Sequence, residues 1–323
     1  MSALLEIDEL KVTFNTRYGQ VTALDGVSLR VNAGETLGVV GESGCGKSIT
    51  ALATMGLIPM PPGRIAGGEI RLAGENLVGA SDARMRALRG AEIAMIFQEP
   101  MTSLNPVFTV GDQIAEAIML HQKVSADRAF KDAVALLDRV GIPSPDRRAR
   151  DYPHQLSGGM RQRVMIAMAV SCRPKVLIAD EPTTALDVTI QATILELIES
   201  MIERFEMSLI FITHNLGVVA HACDSIGVMY ASHLVELGKK DEIFKNPQHP
   251  YTVGLLNSIP RLDTQSKYLT PIKGLVCNMM DPPKGCKFNP RCEHAMDICR
   301  QEIPKMKEVA PGHFAACHLH DQS

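Results

Sequence analysis

The sequence predicts an α/β fold with a largely parallel sheet. In residues 159–213, short apolar segments alternate with longer segments whose apolar residues recur three and four positions apart. A glycine-rich loop at 41–46 also lies between an apolar strand-like segment and a helix-like one. Because parallel strands need a crossover between them, usually a helix, this alternation indicates a parallel sheet.

Three predicted strands begin the chain. They cover residues 4–14, 21–31 and 35–41, with turn signals at Tyr18-Gly19 and Asn32-Ala33-Gly34 between them. The third strand leads through the glycine-rich loop into a predicted helix at 48–58, which Pro59 and the Pro61-Pro62-Gly63 cluster would end.

Helical periodicity dominates residues 110–150 and indicates a helical insertion within the α/β chain. The segments that follow are predicted as a helix at 159–169, a strand at 175–180, a helix at 188–205 and a strand at 208–213. Beyond Asn246 the sequence becomes rich in proline and cysteine, so we expect a domain boundary near Pro260.

Composition narrows the function class. The 323 residues are 46% hydrophobic, which suits a large core with an appendage, and a formal charge of -3 disfavours general nucleic-acid binding. No apolar run approaches the roughly 20 residues of a membrane span, and acidic residues near Met1 argue against a secretory peptide. If the chain serves a membrane, we therefore expect it to do so as a peripheral subunit, with reduced cytoplasmic thiols.

Residues 41–48 match G-x-x-x-x-G-K-[ST] between a predicted strand and a predicted helix. In such a loop, backbone N–H groups turn towards phosphates, the lysine reaches the β and γ oxygens, and the hydroxyl can bind Mg²⁺. The candidate nucleotide-binding residues are Gly41, Glu42, Ser43, Gly44, Cys45, Gly46, Lys47, Ser48 and Ile49.

Two carboxylates end the predicted strand at 175–180. Asp180 can hold magnesium, and Glu181 can polarise the attacking water. Adjacent acids at a strand end are common, but their position after a phosphate-binding loop in the same chain favours nucleotide hydrolysis.

The segment Leu156-Ser157-Gly158-Gly159 precedes a predicted helix and the carboxylate strand. With these motifs in this order, residues 4–260 resemble the ABC (ATP-binding cassette) ATPases. The resemblance implies a P-loop ABC cassette, with a RecA-like core sheet, an N-terminal antiparallel β subdomain and a helical subdomain. It places the nucleotide-binding domain at 1–260, its helical subdomain at about 99–172, and a small cysteine-rich extension at 261–323.

The resemblance also assigns roles to single residues. Tyr18 would stack on adenine, Gln98 would reach magnesium and water, and His214 would contact the γ phosphate. Ser157, Gly158, Gly159 and Asp187 would act in trans, on ATP held by a second cassette. Asn215 is a departure, because aspartate is commoner there in the family.

The chain contains no membrane helices, so it resembles the separate ATPase of an importer. The segment NPQHPYT at 246–252, followed by GCKFNPRC at 285–292, is similar to the tails of dipeptide and oligopeptide importer ATPases, whose relatives also move nickel. This implies peptide uptake and three kinds of partner: a related but non-identical cassette, two transmembrane permeases and an extracytoplasmic binding protein. It also implies a place at the cytoplasmic face of the inner membrane. A non-transport ABC ATPase acting on DNA or ribosomes is the alternative from another class, but it would need a longer insertion or a second cassette.

Four tail cysteines supply enough thiolates for one metal site: Cys286, Cys292, Cys299 and Cys317. Their spacing differs from the C-x-x-C of zinc ribbons, so we favour a [4Fe-4S] cluster over Zn²⁺ as a hypothesis. Four unligated thiols remain the alternative, and Cys277 is a spare thiol.

Overall fold

The computed structural model describes residues 3–184, 187–258 and 272–321, and it contains two compact units. The first unit comprises residues 1–78 and 211–323, and the second comprises residues 79–210. The domain boundary predicted near Pro260 lies outside the described residues, so the limits 1–260, 99–172 and 261–323 stay predictions.

The first unit begins with β1 (Leu5–Thr16), β2 (Gly19–Val31), β3 (Thr36–Val40), α1 (Lys47–Thr54), β4 (Gly63–Leu72) and β5 (Glu75–Asn76). Strands β2, β1, β4 and β5 form an antiparallel sheet in that order. Helix α1 ends earlier than the prolines predict, because Gly56 takes a left-handed φ of 62° and its N–H bonds to the carbonyl of Ala53.

The second unit contains the predicted helical segment. Its elements are α2 (Asp82–Leu88), β6 (Ile93–Ile96), α3 (Pro100–Ser103), α4 (Val110–Gln122), α5 (Ala126–Arg139), α6 (Pro145–Arg148), α7 (Gly158–Val170), β7 (Val176–Asp180), α8 (Val188–Phe205) and β8 (Ser208–Thr213), whose end crosses into the first unit. Strands β6 and β7 pair in parallel, and every residue of both is buried. Continuous apolar strands of this kind are typical of parallel sheets covered on both faces.

The first unit resumes with α9 (Leu216–Ala222), β9 (Ser225–Tyr230), β10 (His233–Lys239), α10 (Lys240–Lys245), α11 (Pro250–Asn257), β11 (Lys307–Ala310) and β12 (His313–Ala315). A second sheet in this unit has the strand order β11-β12-β10-β9-β3, and β9 lies parallel to β3. The parallel pairs β3–β9 and β6–β7 confirm the α/β fold class. The tail also adds two antiparallel strands to this sheet, which the sequence did not predict.

Among the helices of the described ranges, none combines the length and apolar character needed to cross a bilayer.

Candidate nucleotide-binding and catalytic residues

The glycine-rich loop connects β3 to α1 in the first unit, as predicted. Gly46 precedes α1 with a left-handed φ of 108°, and a Cβ there would lie 2.7 Å from Leu24 Cδ2 and 2.8 Å from the Ala23 carbonyl oxygen. A side chain at this position would therefore meet both backbone strain and a neighbouring strand. Ser43 and Gly44 are exposed at the tip of the loop, whereas Ser48 and Ile49 are half-buried in α1.

Lys47, the first residue of α1, turns back over the loop. Its side chain is buried, and Nζ donates to the carbonyl oxygens of Gly41 at 2.8 Å and Glu42 at 3.1 Å. Burial raises the pKa of the neighbouring Cys45 thiol, and the Lys47 charge opposes that rise only in part. The loop therefore holds one fixed cation next to a neutral thiol.

Two further predicted residues of the first unit are exposed. Tyr18 lies in the turn between β1 and β2 with 69% of its surface accessible, and the Arg17 guanidinium carbon is 4.6 Å from its ring. His214 follows β8 and is also exposed. The departure at Asn215 leaves a working helix cap, because its Oδ1 accepts from the N–H of Gly217 at 3.0 Å.

In the second unit, the structure brings Gln98 and Glu181 together. Gln98 Nε2 donates to Glu181 Oε2 at 3.3 Å, and Thr184 Oγ1 donates to the same oxygen at 2.9 Å. Glu181 has a left-handed φ of 45°, a strained conformation for a residue with a side chain. Asp180 precedes it at the end of β7 and is buried.

The serine-glycine segment forms the start of α7. Ser157 Oγ accepts from the N–H of Met160 at 3.4 Å, so this residue is the N-cap. Space is open beside Gly158, where an added Cβ would meet nothing within 4 Å, whereas at Gly159 it would lie 3.2 Å from Ile190. Asp187 occupies the N-cap position of α8 and is exposed.

The four tail cysteines line one small cavity, of about 10 Å³, in the first unit. Burial, with smaller contributions from the neighbouring cysteines, raises the pKa of Cys286 and of Cys317 to about 11. Across the described ranges, the structure contains no group of three or more histidine, cysteine or acidic side chains that could hold a metal ion. The donors suit a metal in kind and number, but their present spacing does not.

The sequence does not predict one contact between the cysteine-rich tail and the glycine-rich loop. Arg291, in the cysteine-rich tail, pairs with Glu42 of the glycine-rich loop across 249 positions of sequence. No local pattern links the two residues, and the position of Arg291 beside Cys292 draws attention only to the cysteines.

Known proteins with similar sequences are ATP-binding subunits of transporters. A family described as "ABC transporter" matches residues 24–184, and one described as "Oligopeptide/dipeptide transporter, C-terminal region" matches residues 235–299. The dipeptide transport ATP-binding protein DppD of Bacillus subtilis is 49% identical over 322 residues, which cover 100% of this chain and 96% of DppD. The oligopeptide transport ATP-binding protein OppD of the same organism is 52% identical over 320 residues, which cover 99% of this chain and 89% of OppD.

A solved structure shares the fold. The dimeric structure of MJ0796, a bacterial ABC transporter cassette, aligns with a TM-score of 0.65 at 25% identity, over 73% of this chain and 98% of its own. The resemblance and the cassette fold expected from the motifs are confirmed. The chain therefore belongs to the ATP-binding, ATP-hydrolysing proteins of the ABC transporter family, in the branch that includes DppD and OppD.

Proposed function

We propose that this chain binds ATP with magnesium and hydrolyses it to drive a membrane importer of dipeptides or oligopeptides. The observation that carries the proposal is the match of residues 235–299 to the oligopeptide/dipeptide transporter C-terminal region. The full-length similarity to DppD and OppD supports it, because both are named as peptide transport ATP-binding proteins.

In this proposal, the loop from Gly41 to Ser48 holds the phosphates. Its backbone N–H groups and the N-terminus of α1 favour anions, and Lys47 moves from the loop carbonyls to the β and γ oxygens. Tyr18 stacks on the adenine. Ile49, which is half-buried, follows Ser48 in α1 at the end of the phosphate-binding segment. His214 contacts the γ phosphate.

Magnesium is general to ABC ATPases and neutralises charge on the transferred phosphate. Ser48, Gln98 and Asp180 would hold it, since hydroxyl, amide and carboxylate oxygens are the ligands this hard cation prefers. Glu181 accepts the proton of the attacking water, and Gln98 and Thr184 orient its carboxylate by the hydrogen bonds described above.

A second cassette completes the site in the proposal. Ser157, Gly158 and Gly159 contact the ATP held by the partner, and Asp187 relays the state of that interface. The exposed Ser157 and the open space beside Gly158 support this role. Contacts to the γ phosphate hold the pair closed, so hydrolysis reopens it and resets the membrane subunits.

Glu181→Gln tests the catalytic assignment. The amide cannot accept the proton of water, so we expect ATP hydrolysis to fall about a hundredfold or more while ATP binding persists. Size-exclusion chromatography with ATP and the partner cassette should show a trapped dimer, and the exposed Glu196→Gln in α8 is the matched control. Rapid turnover by Glu181→Gln would overturn the role of this residue.

The partners are proposed as a related but non-identical cassette, two permeases and an extracytoplasmic binding protein, at the cytoplasmic face of the inner membrane. Residues 98–106 and the helices that follow would contact a permease, and the exposed Val107 and Phe108 support an apolar contact there. Co-purification from native membranes identifies the partners. In reconstituted vesicles, ATP-dependent uptake of labelled peptide is expected, whereas uptake of nickel alone would favour a nickel importer.

We further propose that the four tail thiols hold a metal group, with [4Fe-4S] favoured over Zn²⁺. The convergence of Cys286, Cys292, Cys299 and Cys317 on one cavity supports this. Iron and sulfide analysis of anaerobically purified chain should find about four of each, with Cys277→Ser as control. Stoichiometric zinc alone would reject the cluster, and a metal-free chain would reject both.

A further inference from the structure

We propose that Arg291 is a positioning residue for ATP binding: it neutralises Glu42 and holds it away from the phosphates. The inference rests on the proposed role of the Gly41–Ser48 loop. If so, the cysteine-rich tail acts on the nucleotide site directly through Arg291, whether or not the tail thiols hold a metal.

The pair formed by Arg291 and Glu42 is bidentate. One guanidinium nitrogen lies 2.6 Å from Glu42 Oε2, and the other lies 3.1 Å from Oε1. Only 4% of the Arg291 side chain is exposed, against 28% for Glu42. Parallel charge-assisted bonds of this kind fix both distance and orientation, so the carboxylate has one defined position.

Arg291 is itself held by the tail and the core. Its Nε donates to the carbonyl oxygen of Lys273 at 3.1 Å, and its guanidinium carbon lies 5.8 Å from the ring centre of Tyr230 and 5.9 Å from that of Phe288. The guanidinium is therefore fixed before it meets Glu42. An arginine with so many partners costs less to order on pairing than a free surface arginine would.

A second contact fixes the backbone of the same loop residue. The N–H of Glu42 donates to Tyr251 Oη at 2.9 Å, and the Tyr251 ring packs 4.6 Å from Tyr230 and 5.4 Å from Phe288. The carbonyl oxygen of Glu42 accepts from Lys47 Nζ. Glu42 is thus held by its side chain, its N–H and its carbonyl oxygen, and the first two contacts come from residues after position 250.

The charge of Glu42 explains why its position affects ATP binding. A carboxylate inside a phosphate-binding loop repels the polyphosphate, and at the low effective dielectric near a protein surface such repulsion extends over several ångströms. Arg291 cancels that charge. Without it, Glu42 would be an uncompensated anion that is also free to turn towards the phosphates.

The test measures ATP kinetics and binding on the full chain. Arg291→Ala should raise the KM and the Kd for MgATP by roughly tenfold, an effect of one unpaired charge, while kcat changes by about twofold or less. Arg291→Lys should recover part of the loss, because it keeps the charge but not the bidentate geometry. Arg300→Ala is the control, an exposed tail arginine paired only with Asp297 among the described residues.

The double variant Arg291→Ala/Glu42→Ala separates charge from packing. Neutralisation predicts that it regains most of the lost affinity, because neither charge remains. An unaltered KM in Arg291→Ala, or an equal loss in the double variant, would overturn the proposal. If Arg291→Ala does not fold, Glu42→Gln decides: its KM for ATP should fall, and a rise counts against the proposal.

Lys47→Ala keeps the two proposals distinguishable. It should abolish ATP binding if the loop holds the phosphates. Normal ATP binding by Lys47→Ala would overturn the loop assignment together with the role of Arg291. Lost binding in Lys47→Ala with normal kinetics in Arg291→Ala would overturn the role of Arg291 alone.

Discussion

At the scale of single residues, the backbone is strained at Glu181, the proposed catalytic carboxylate. Glu181 keeps a left-handed backbone that costs about 1–3 kcal/mol for a residue with a side chain. It is held there by Thr184, which bonds to both its carboxylate and its carbonyl oxygen, and by Gln98. Such strain is typical of functional positions, and the position of Glu181 directly after Asp180 is consistent with the role proposed for it.

Asp25 gives a pH-dependent prediction. A hydrogen bond from His233, followed by the contacts with Lys11, lowers the pKa of Asp25 well below its usual range, against the opposing effect of burial. A lowered folded-state pKa stabilises the fold above the unfolded value of about 4, and that contribution is lost as the pH falls through and below this value.

We therefore expect Asp25→Asn to destabilise the chain at pH 7, and to differ progressively less from wild type as the pH falls from about 5 to about 3. Urea unfolding midpoints at several pH values measure this. The control is Asp241→Asn in α10, which should shift the midpoint little because its pair with Lys245 is exposed. A constant difference at every pH would contradict the assignment.

At the scale of elements, the N-terminus of α7 is capped by a residue that is also proposed to contact ATP. Ser157 caps α7, and Ser125 caps α5 with the same geometry, each hydroxyl accepting from the N–H three residues on at 3.4 Å. The first cap is also the proposed contact to the partner's ATP. The two serines therefore form a matched pair in which one residue has an additional role.

Ser157→Ala and Ser125→Ala should each cost about 1 kcal/mol of stability, because each leaves a helix N-terminus without its side-chain acceptor. Only Ser157→Ala should also lower ATP hydrolysis, by tenfold or more. Thermal unfolding and steady-state ATPase assays on both variants check this. Equal ATPase rates in the two variants would leave Ser157 as a cap only.

At the scale of the whole molecule, a strand pair and a buried carboxylate join the tail to the sheet of the first unit. Strand β12 pairs with β10, and the fully buried Glu236 of β10 accepts from the N–H groups of Gln248 and His249, with His313 Nε2 2.8 Å from the same carboxylate. One side chain thus joins β10 to the segment before α11 and to β12.

Glu236→Ala should cost about 3 kcal/mol or more, because it leaves several buried donors without an acceptor. Urea denaturation gives the free energy of unfolding. Lys245→Ala is the control, since it breaks only an exposed pair and should cost less than about 1 kcal/mol. A small loss in Glu236→Ala would mean that the tail is not held through this carboxylate.

The sequence by itself determined whatever depends on neighbours along the chain. The phosphate loop, the carboxylates at the end of β7 and the cap of α7 are set by fixed spacing along the chain. The bounds of α8 and β8 follow from the spacing of apolar residues, because the helix and strand repeats are only a few residues long. Only the tertiary structure decided which distant segments meet. The pairing of β12 with β10, the convergence of the four thiols and the contact of Arg291 with Glu42 join residues far apart in the chain, and such contacts arise from packing that no local pattern specifies.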